Sequence, residues 1–311
     1  MKGSMAALTI DAAGLRKDYG GRTAVRDLTL QVRRGEAFGF LGPNGAGKST
    51  SIKMLLGLVK PTQGSALLLG QPLGTREVRA RIGFLPEHFR FYDWLSATEL
   101  VTFHGRLCGL AERVLRERVP RLLERVGLGS HRSKPLRSFS KGMMQRAGLA
   151  QAIVNEPDIL FLDEPTSGLD PGGRKLVRDV IREQRNRGAT VFLNSHLLGE
   201  VEQSCDRIAF IRKGEIVGMH EMGDWQADRA EVEIHAANLN SAALARLSAV
   251  GGVAIVSHEA RKLRLRVPNE DCLPEVVRCL VESGADIFSV VPQRVSLEDL
   301  FLQTMGSDPG L

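Results

Sequence analysis

The chain has 311 residues, 43% of them hydrophobic and 25% charged, a net charge of +6 and a pI near 9.3. At about 100–200 residues per domain this length predicts two domains, and the ordinary balance of apolar and charged residues excludes a disordered or low-complexity chain. No apolar stretch approaches the about 18 residues of a membrane span, and the basic balance favours anionic partners, although the arginines from Arg113 to Arg125 read as a solvated helix face rather than a nucleic-acid groove.

Residues Met1 to Leu8 lack the long apolar segment of a signal peptide, so the chain is expected in the cytoplasm unless a partner holds it at a membrane. Glu36 to Leu41 is a short apolar run that suits a buried parallel strand. It leads into Gly42-Pro43-Asn44-Gly45-Ala46-Gly47-Lys48-Ser49-Thr50, which fills the template G-x-x-x-x-G-K-[ST]. A triphosphate is a dense anion and needs many donors at close range. Glycines let backbone N–H groups turn inward around it, and the following helix directs its positive end at the same anion. Lys48 then reaches the β- and γ-phosphates, and the Ser49 hydroxyl ligates Mg²⁺. Ser51 to Val59 carries apolar residues at helical spacing, which completes the strand, loop and helix that the motif requires.

Phe84, Phe89, Phe91, Tyr92 and Trp94 crowd into a few residues of a chain that is only 5% aromatic. Such a cluster suits either an interface core or the packing of the helical stretch from Ser96 to Leu149, and some of each is expected. Ser140 opens a helical run from Lys141 to Val154. Asp158 to Glu164 is an apolar strand that ends in two acids. Asp163 suits a Mg²⁺ ligand beside a phosphate loop, and Glu164 suits a base for an attacking water. A further strand, Ala189 to Asn194, ends at Ser195-His196. The four cysteines Cys108, Cys205, Cys272 and Cys279 form no Cys-x-x-Cys pair and are expected as buried, reduced thiols rather than metal ligands. From about Gly223 the pattern reads strand (231–235), helix (240–250), strand (252–257), strand (262–267), helix (271–282), strand (285–291), then a short helix (296–305). That βαββαβ order suggests a small ferredoxin-like domain. Its basic strand face from Lys262 to Arg266 reads as solvated rather than anion-binding.

These motifs, in this order, resemble the nucleotide-binding subunits of ABC transporters over roughly residues 8 to 220. In the resemblance Tyr19 stacks on adenine and Gly42 to Thr50 is the Walker A loop. Ile82 to Glu87 is the Q-loop, with Glu87 serving the metal. Ser138 to Arg146 is the signature, in which Ser140 and Gly142 meet a phosphate. Ile159 to Glu164 is the Walker B strand, Ser167 to Asp170 the D-loop, and His196 the switch histidine that senses the γ-phosphate. The chain departs twice: Glu87 stands where most members have Gln, and Lys141 replaces the first glycine of the signature.

The resemblance implies an α/β fold, a P-loop ABC-type ATPase domain with an inserted helical subdomain, plus a small α+β C-terminal domain. Boundaries are expected at 1–223, with the helical insert near 88–150, and 224–311. It implies ATP and Mg²⁺ as cofactors, with Glu164 and His196 as catalytic residues. Ser49, Glu87 and Asp163 are the expected metal ligands, and Tyr19, residues 42–50, Ser140, Gly142 and Asp170 line the nucleotide. It implies a homodimer around two ATP molecules and an integral membrane permease as partner, with no nucleic acid. The protein would then sit on the inner face of the membrane, as part of an exporter. An ATPase that drives maturation of a membrane complex shares this nucleotide chemistry and stands as the alternative. DNA-maintenance relatives insert coiled coils before the signature, and no heptad array lies between Lys48 and Ser140.

Overall fold

Ile10, Ala12 and Leu15 are buried along Leu8–Tyr19 (β1) and pair in register with Val32, Leu30 and Leu28 of Arg22–Arg33 (β2), an antiparallel pair. Ala37–Leu41 (β3) is buried at every residue, as a parallel strand covered on both sides should be. The computed structural model describes residues 7–88, 91–222, 230–293 and 296–305. The helix expected over 51–59 instead begins inside the motif as Lys48–Leu55 (α1), because Gly47 adopts φ 106° at its N-cap and turns the loop directly into the helix.

Gln63–Leu68 (β4), Gln71–Pro72 (β5), the short Arg76–Arg79 (α2) and Ile82–Leu85 (β6) follow. Three helices come next: Ala97–Leu107 (α3), Glu112–Arg125 (α4) and Lys141–Ile153 (α5). They enclose their own core, which includes Leu100, Leu115, Val119, Leu123 and Ala147. A capping box between Ser96 and Glu99 starts α3. Arg113, Arg116 and Arg121 on α4 face solvent, as expected, while Arg118 and Arg125 pair with Glu156 and Glu183.

The chain returns to the sheet as Ile159–Asp163 (β7), Pro171–Asn186 (α6), Thr190–Asn194 (β8), Leu198–Ser204 (α7), Arg207–Arg212 (β9) and Glu215–Glu221 (β10). The ten strands lie in the order β5-β4-β1-β2-β10-β9-β3-β8-β7-β6. The run β9-β3-β8-β7-β6 is parallel, and β5-β4-β1-β2 is antiparallel. Phe192 sits at the centre of the parallel half, with ring centroids 5.3 Å from Phe40, 5.3 Å from Phe161 and 5.6 Å from Phe38. Parallel strands put their C-terminal ends on one edge of the sheet, which is where ligands bind in such folds.

The chain forms two compact units: residues 220–303 make the second, and Thr304 and Met305 belong with the first. The boundary expected at Gly223 falls outside the described residues. The second unit contains Ala230–Ala237 (β11), Ser241–Ser248 (α8), Ala254–Glu259 (β12), Lys262–Val267 (β13), Leu273–Glu282 (α9) and Asp286–Gln293 (β14). A last helix spans Leu297–Met305 (α10). The antiparallel order β12-β13-β11-β14 is the ferredoxin-like arrangement, closed over Val232, Ile234, Leu263, Leu265, Val276 and Leu280. The strand expected at 252–257 lies two residues later, since Gly251-Gly252 stays in the turn. The basic face of β13 is neutralised across the strands. Lys262 and Arg264 reach Glu233 at 2.9 and 3.2 Å, and Arg266 reaches Glu231 at 2.9 Å. Of the cysteines only Cys205 is buried, packed against Gly39 of the central strand β3, where desolvation pushes its thiol far up; Cys108, Cys272 and Cys279 are only partly buried, contrary to expectation.

Candidate nucleotide-binding site

The loop after β3 leaves the sheet through Gly42, where a Cβ would stand 2.2 Å from the Ile211 carbonyl oxygen, so no other residue fits. Gly47 is equally confined, 2.6 Å from the Ala24 oxygen. Between them the Lys48 ammonium donates to the carbonyls of Gly42 at 2.6 Å and Pro43 at 3.0 Å. Its pKa is held down first by burial, against the opposing pull of Glu164, Asp163 and Glu87. A buried cation closed onto two carbonyls gains more from a phosphate anion. The first turn of α1 has no side-chain cap, so Ser49 and Thr50 open it with amides suited to the same anion. Asn44 and Gly45 are exposed, and Pro43 and Ala46 complete the loop.

Three neighbouring strand ends bring in the acids. Register pairs Leu85 of β6 with Leu162 of β7, and Asp163 of β7 with Asn194 of β8. Glu87 therefore follows β6 beside Asp163. Asp163 is 6% exposed and accepts a hydrogen bond from the Asn194 amide. Burial raises its pKa, and the negative charge of Glu87 adds to the rise. Among the described residues no group of three His, Cys, Asp or Glu side chains could hold a metal alone. An all-oxygen set of Ser49, Asp163 and Glu87 suits Mg²⁺, which is usually held by one or two carboxylates together with substrate phosphates. The Asn194 side-chain oxygen, beside Asp163, is buried without a protein partner.

Glu164 is also 6% exposed, and its backbone takes φ 53°, unusual for a residue with a side chain. Its N–H donates to the Asn194 carbonyl at 2.8 Å. Its carboxylate accepts the His196 N–H at 2.9 Å and lies 2.6 Å from His196 Nδ1. Burial is the first cause that raises its pKa, opposed by His196. A carboxylate raised and oriented in this way is poised to accept a proton from water. With Nδ1 donating to Glu164, the imidazole keeps Nε2 for another partner.

The remaining expected residues sit on other elements. Tyr19 ends β1 with its ring 47% exposed and Lys17 Nζ 5.0 Å from its centroid. Ser140 caps α5 by accepting the Met143 N–H at 3.3 Å. A Cβ on Gly142 would make only an ordinary contact, 3.5 Å from Leu169, so the packing of this chain does not demand glycine there. Asp170 caps α6 through the Gly173 N–H at 2.7 Å. Lys141 lays its stem over Gly168, with Cε 2.8 Å from where a Cβ would stand. The aromatic cluster divides. Phe84 packs on the sheet core and Phe91 on the helical core, whereas Tyr92 and Trp94 are 55% and 65% exposed with ring centroids 5.0 Å apart. Phe89 lies outside the described residues. Sequence reasoning missed Gln145, which is 3% exposed and donates to the carbonyls of Glu164 at 3.3 Å and Pro165 at 3.0 Å. A lone polar residue among the apolar positions of a buried helix face was the signal that could have found it.

The family model for ABC transporters matches residues 25–167. An uncharacterised ABC transporter ATP-binding protein of Nostoc sp. is 47% identical over 196 residues, 62% of this chain and 58% of that protein, so the chain spans little more than half of that relative's length. The Nod factor export ATP-binding protein I of Rhizobium johnstonii is 32% identical over 314 residues, 98% of this chain and 97% of that protein. A solved ATP-binding subunit of an ABC transporter is similar with a TM-score of 0.66 and 31% identity, covering 70% of this chain and 92% of that one.

Proposed function

The chain belongs to the ABC transporter family of ATP-binding proteins, and from that premise we propose that it hydrolyses ATP in a nucleotide-sandwich homodimer that drives a separate membrane permease, in the direction of export. The observation that carries the reading is one sheet edge on which the Lys48 loop, Asp163 and the Glu164–His196 pair converge.

Lys48 leaves its two loop carbonyls for the β- and γ-phosphate oxygens, joined by the open amides of residues 43 to 50. Tyr19 offers its exposed ring to the adenine. Ser49, Asp163 and Glu87 would hold Mg²⁺, whose charge would offset that of the phosphates. Glu164 takes the proton of the attacking water, and His196, held by Glu164 at Nδ1, donates Nε2–H to the γ-phosphate as the doubly protonated ring. Ser140 and Gly142 serve the nucleotide of the opposite protomer, because Gly142 is not required by contacts within its own chain. Asp170 contributes through its helix cap, which shapes the turn that enters α6.

A site shared between protomers makes activity depend on concentration. Phosphate release per chain should rise with chain concentration until the dimer saturates. The measurement is a dilution series with ATP and Mg²⁺; a flat specific activity across the series would refute the shared site.

No described helix is long and apolar enough to cross a membrane, so in this reading the permease supplies the attachment. Tyr92 and Trp94 form its contact, since paired exposed aromatics suit an interface hot spot. Trp94→Ala is expected to weaken permease binding by about 2 kcal/mol with ATP affinity unchanged. Co-purification from detergent checks this, and equal permease yield from mutant and wild type would remove Trp94 from the interface. Relatedness to an export protein over nearly the whole chain favours export.

A further inference from the structure

We infer that Gln145 is a positioning residue that ties the N-terminal half of α5 to the backbone of Glu164, so that the signature helix and the general base of one protomer move as a unit. The inference rests on the reading of Glu164 as the base.

Gln145 is 3% exposed, a depth at which an amide without partners is costly. Its two N–H bonds have specific ends: the carbonyls of Glu164 at 3.3 Å and Pro165 at 3.0 Å. Glu164 is the residue whose backbone takes φ 53°. Such a conformation persists only where surrounding contacts over-determine it. Here all three polar groups of Glu164 are held. The Glu164 N–H is held by Asn194, its carboxylate by His196, and its carbonyl by Gln145 and the Ser167 N–H. Asn194 and His196 belong to the sheet edge and Ser167 to the same turn. Gln145 alone among these partners reaches in from the helical region.

The same helix grips the rest of the turn. Arg146 approaches Asp170 at 3.9 Å, the Lys141 stem covers Gly168, and Gly142 faces Leu169. Four positions in the first two turns of α5 thus contact residues 164 to 170. A displacement of Ser140 on the opposite nucleotide is carried to Glu164 through this bundle of contacts rather than through the sheet. Gln145 supplies the link nearest the reacting carboxylate and touches no phosphate itself.

Gln145→Met keeps the side-chain volume and removes both donated bonds. In the full chain it is expected to lower kcat by about 10-fold to 100-fold, the scale of a misplaced catalytic group, with the Kd for ATP unchanged. In a Glu164→Gln background it should cause no further loss of hydrolysis, and the ATP-bound dimer should still collect. A wild-type kcat, a matching loss of ATP affinity, or a loss that multiplies undiminished onto Glu164→Gln would each overturn the inference. Should Gln145→Met not fold, Gln145→Asn, which withdraws the amide by one methylene, supplies the same comparison. The underlying function fails separately, if Glu164→Gln alone neither slows hydrolysis nor accumulates dimer.

Discussion

Glu164→Gln should lower steady-state ATP hydrolysis by about 10²–10⁴-fold, the contribution of a positioned general base, while ATP-bound dimer accumulates. The substitution keeps shape and removes basicity. Its backbone still donates to Asn194, and its side-chain oxygen can still accept the His196 N–H now received by the carboxylate at 2.9 Å. What disappears is a carboxylate that burial has raised toward the range where it takes a proton readily. In the proposed site, binding depends on Lys48, the loop amides and the metal ligands, none of which the substitution changes. The γ-phosphate that favours the closed dimer is therefore no longer removed. Phosphate release and size-exclusion chromatography with ATP read the two halves of the expectation. Normal turnover in this variant would show that another group takes the proton.

Lys48→Ala should weaken ATP binding by about 2–5 kcal/mol, the range for truncating one partner of a buried charge pair. The loss should be larger for ATP than for ADP, because the ammonium serves the terminal phosphates. The charges around Lys48 give the reason for so large an effect. Lys48 is the cation on which Asp163, Glu164 and Glu87 all act. Without it, three carboxylates face an incoming polyanion with only backbone amides and the metal to offset them. The partly buried Gly42 carbonyl also loses the lysine donor, at a cost of up to about 1–3 kcal/mol, whereas the Pro43 carbonyl keeps the Ala46 N–H. The unliganded variant should thus melt lower as well. Titration with a fluorescent nucleotide and thermal melts check both. An unchanged ratio of ATP to ADP affinity would place the ammonium away from the γ-phosphate.

The phosphate loop was legible because everything it needs is contiguous: an apolar strand, two glycines with no room for a Cβ, a lysine and a helix. The acids after β7 and the histidine after β8 were legible for the same reason, each being the last word of a buried strand. The order of the second unit followed from alternation and turn residues, although β12 was placed two residues early where Gly251-Gly252 blurred its start. The division of the aromatic cluster was not legible, since Phe91 and Trp94 differ only in what lies across from them.

Local chemistry along the chain determined the strand, loop and helix of the phosphate motif and set Asp163, Glu164 and His196 at the ends of buried strands, because strand periodicity, glycine sterics and charge act between near neighbours, while the resemblance supplied the class of fold and the roles expected of those residues. Tertiary structure alone decided that His196 holds the Glu164 carboxylate, that Gln145 holds its carbonyl, and that Glu231 and Glu233 neutralise the basic strand. Those contacts join residues from 19 to 35 positions apart. Their partners are chosen by strand register and helix packing, and neither is written in any single segment.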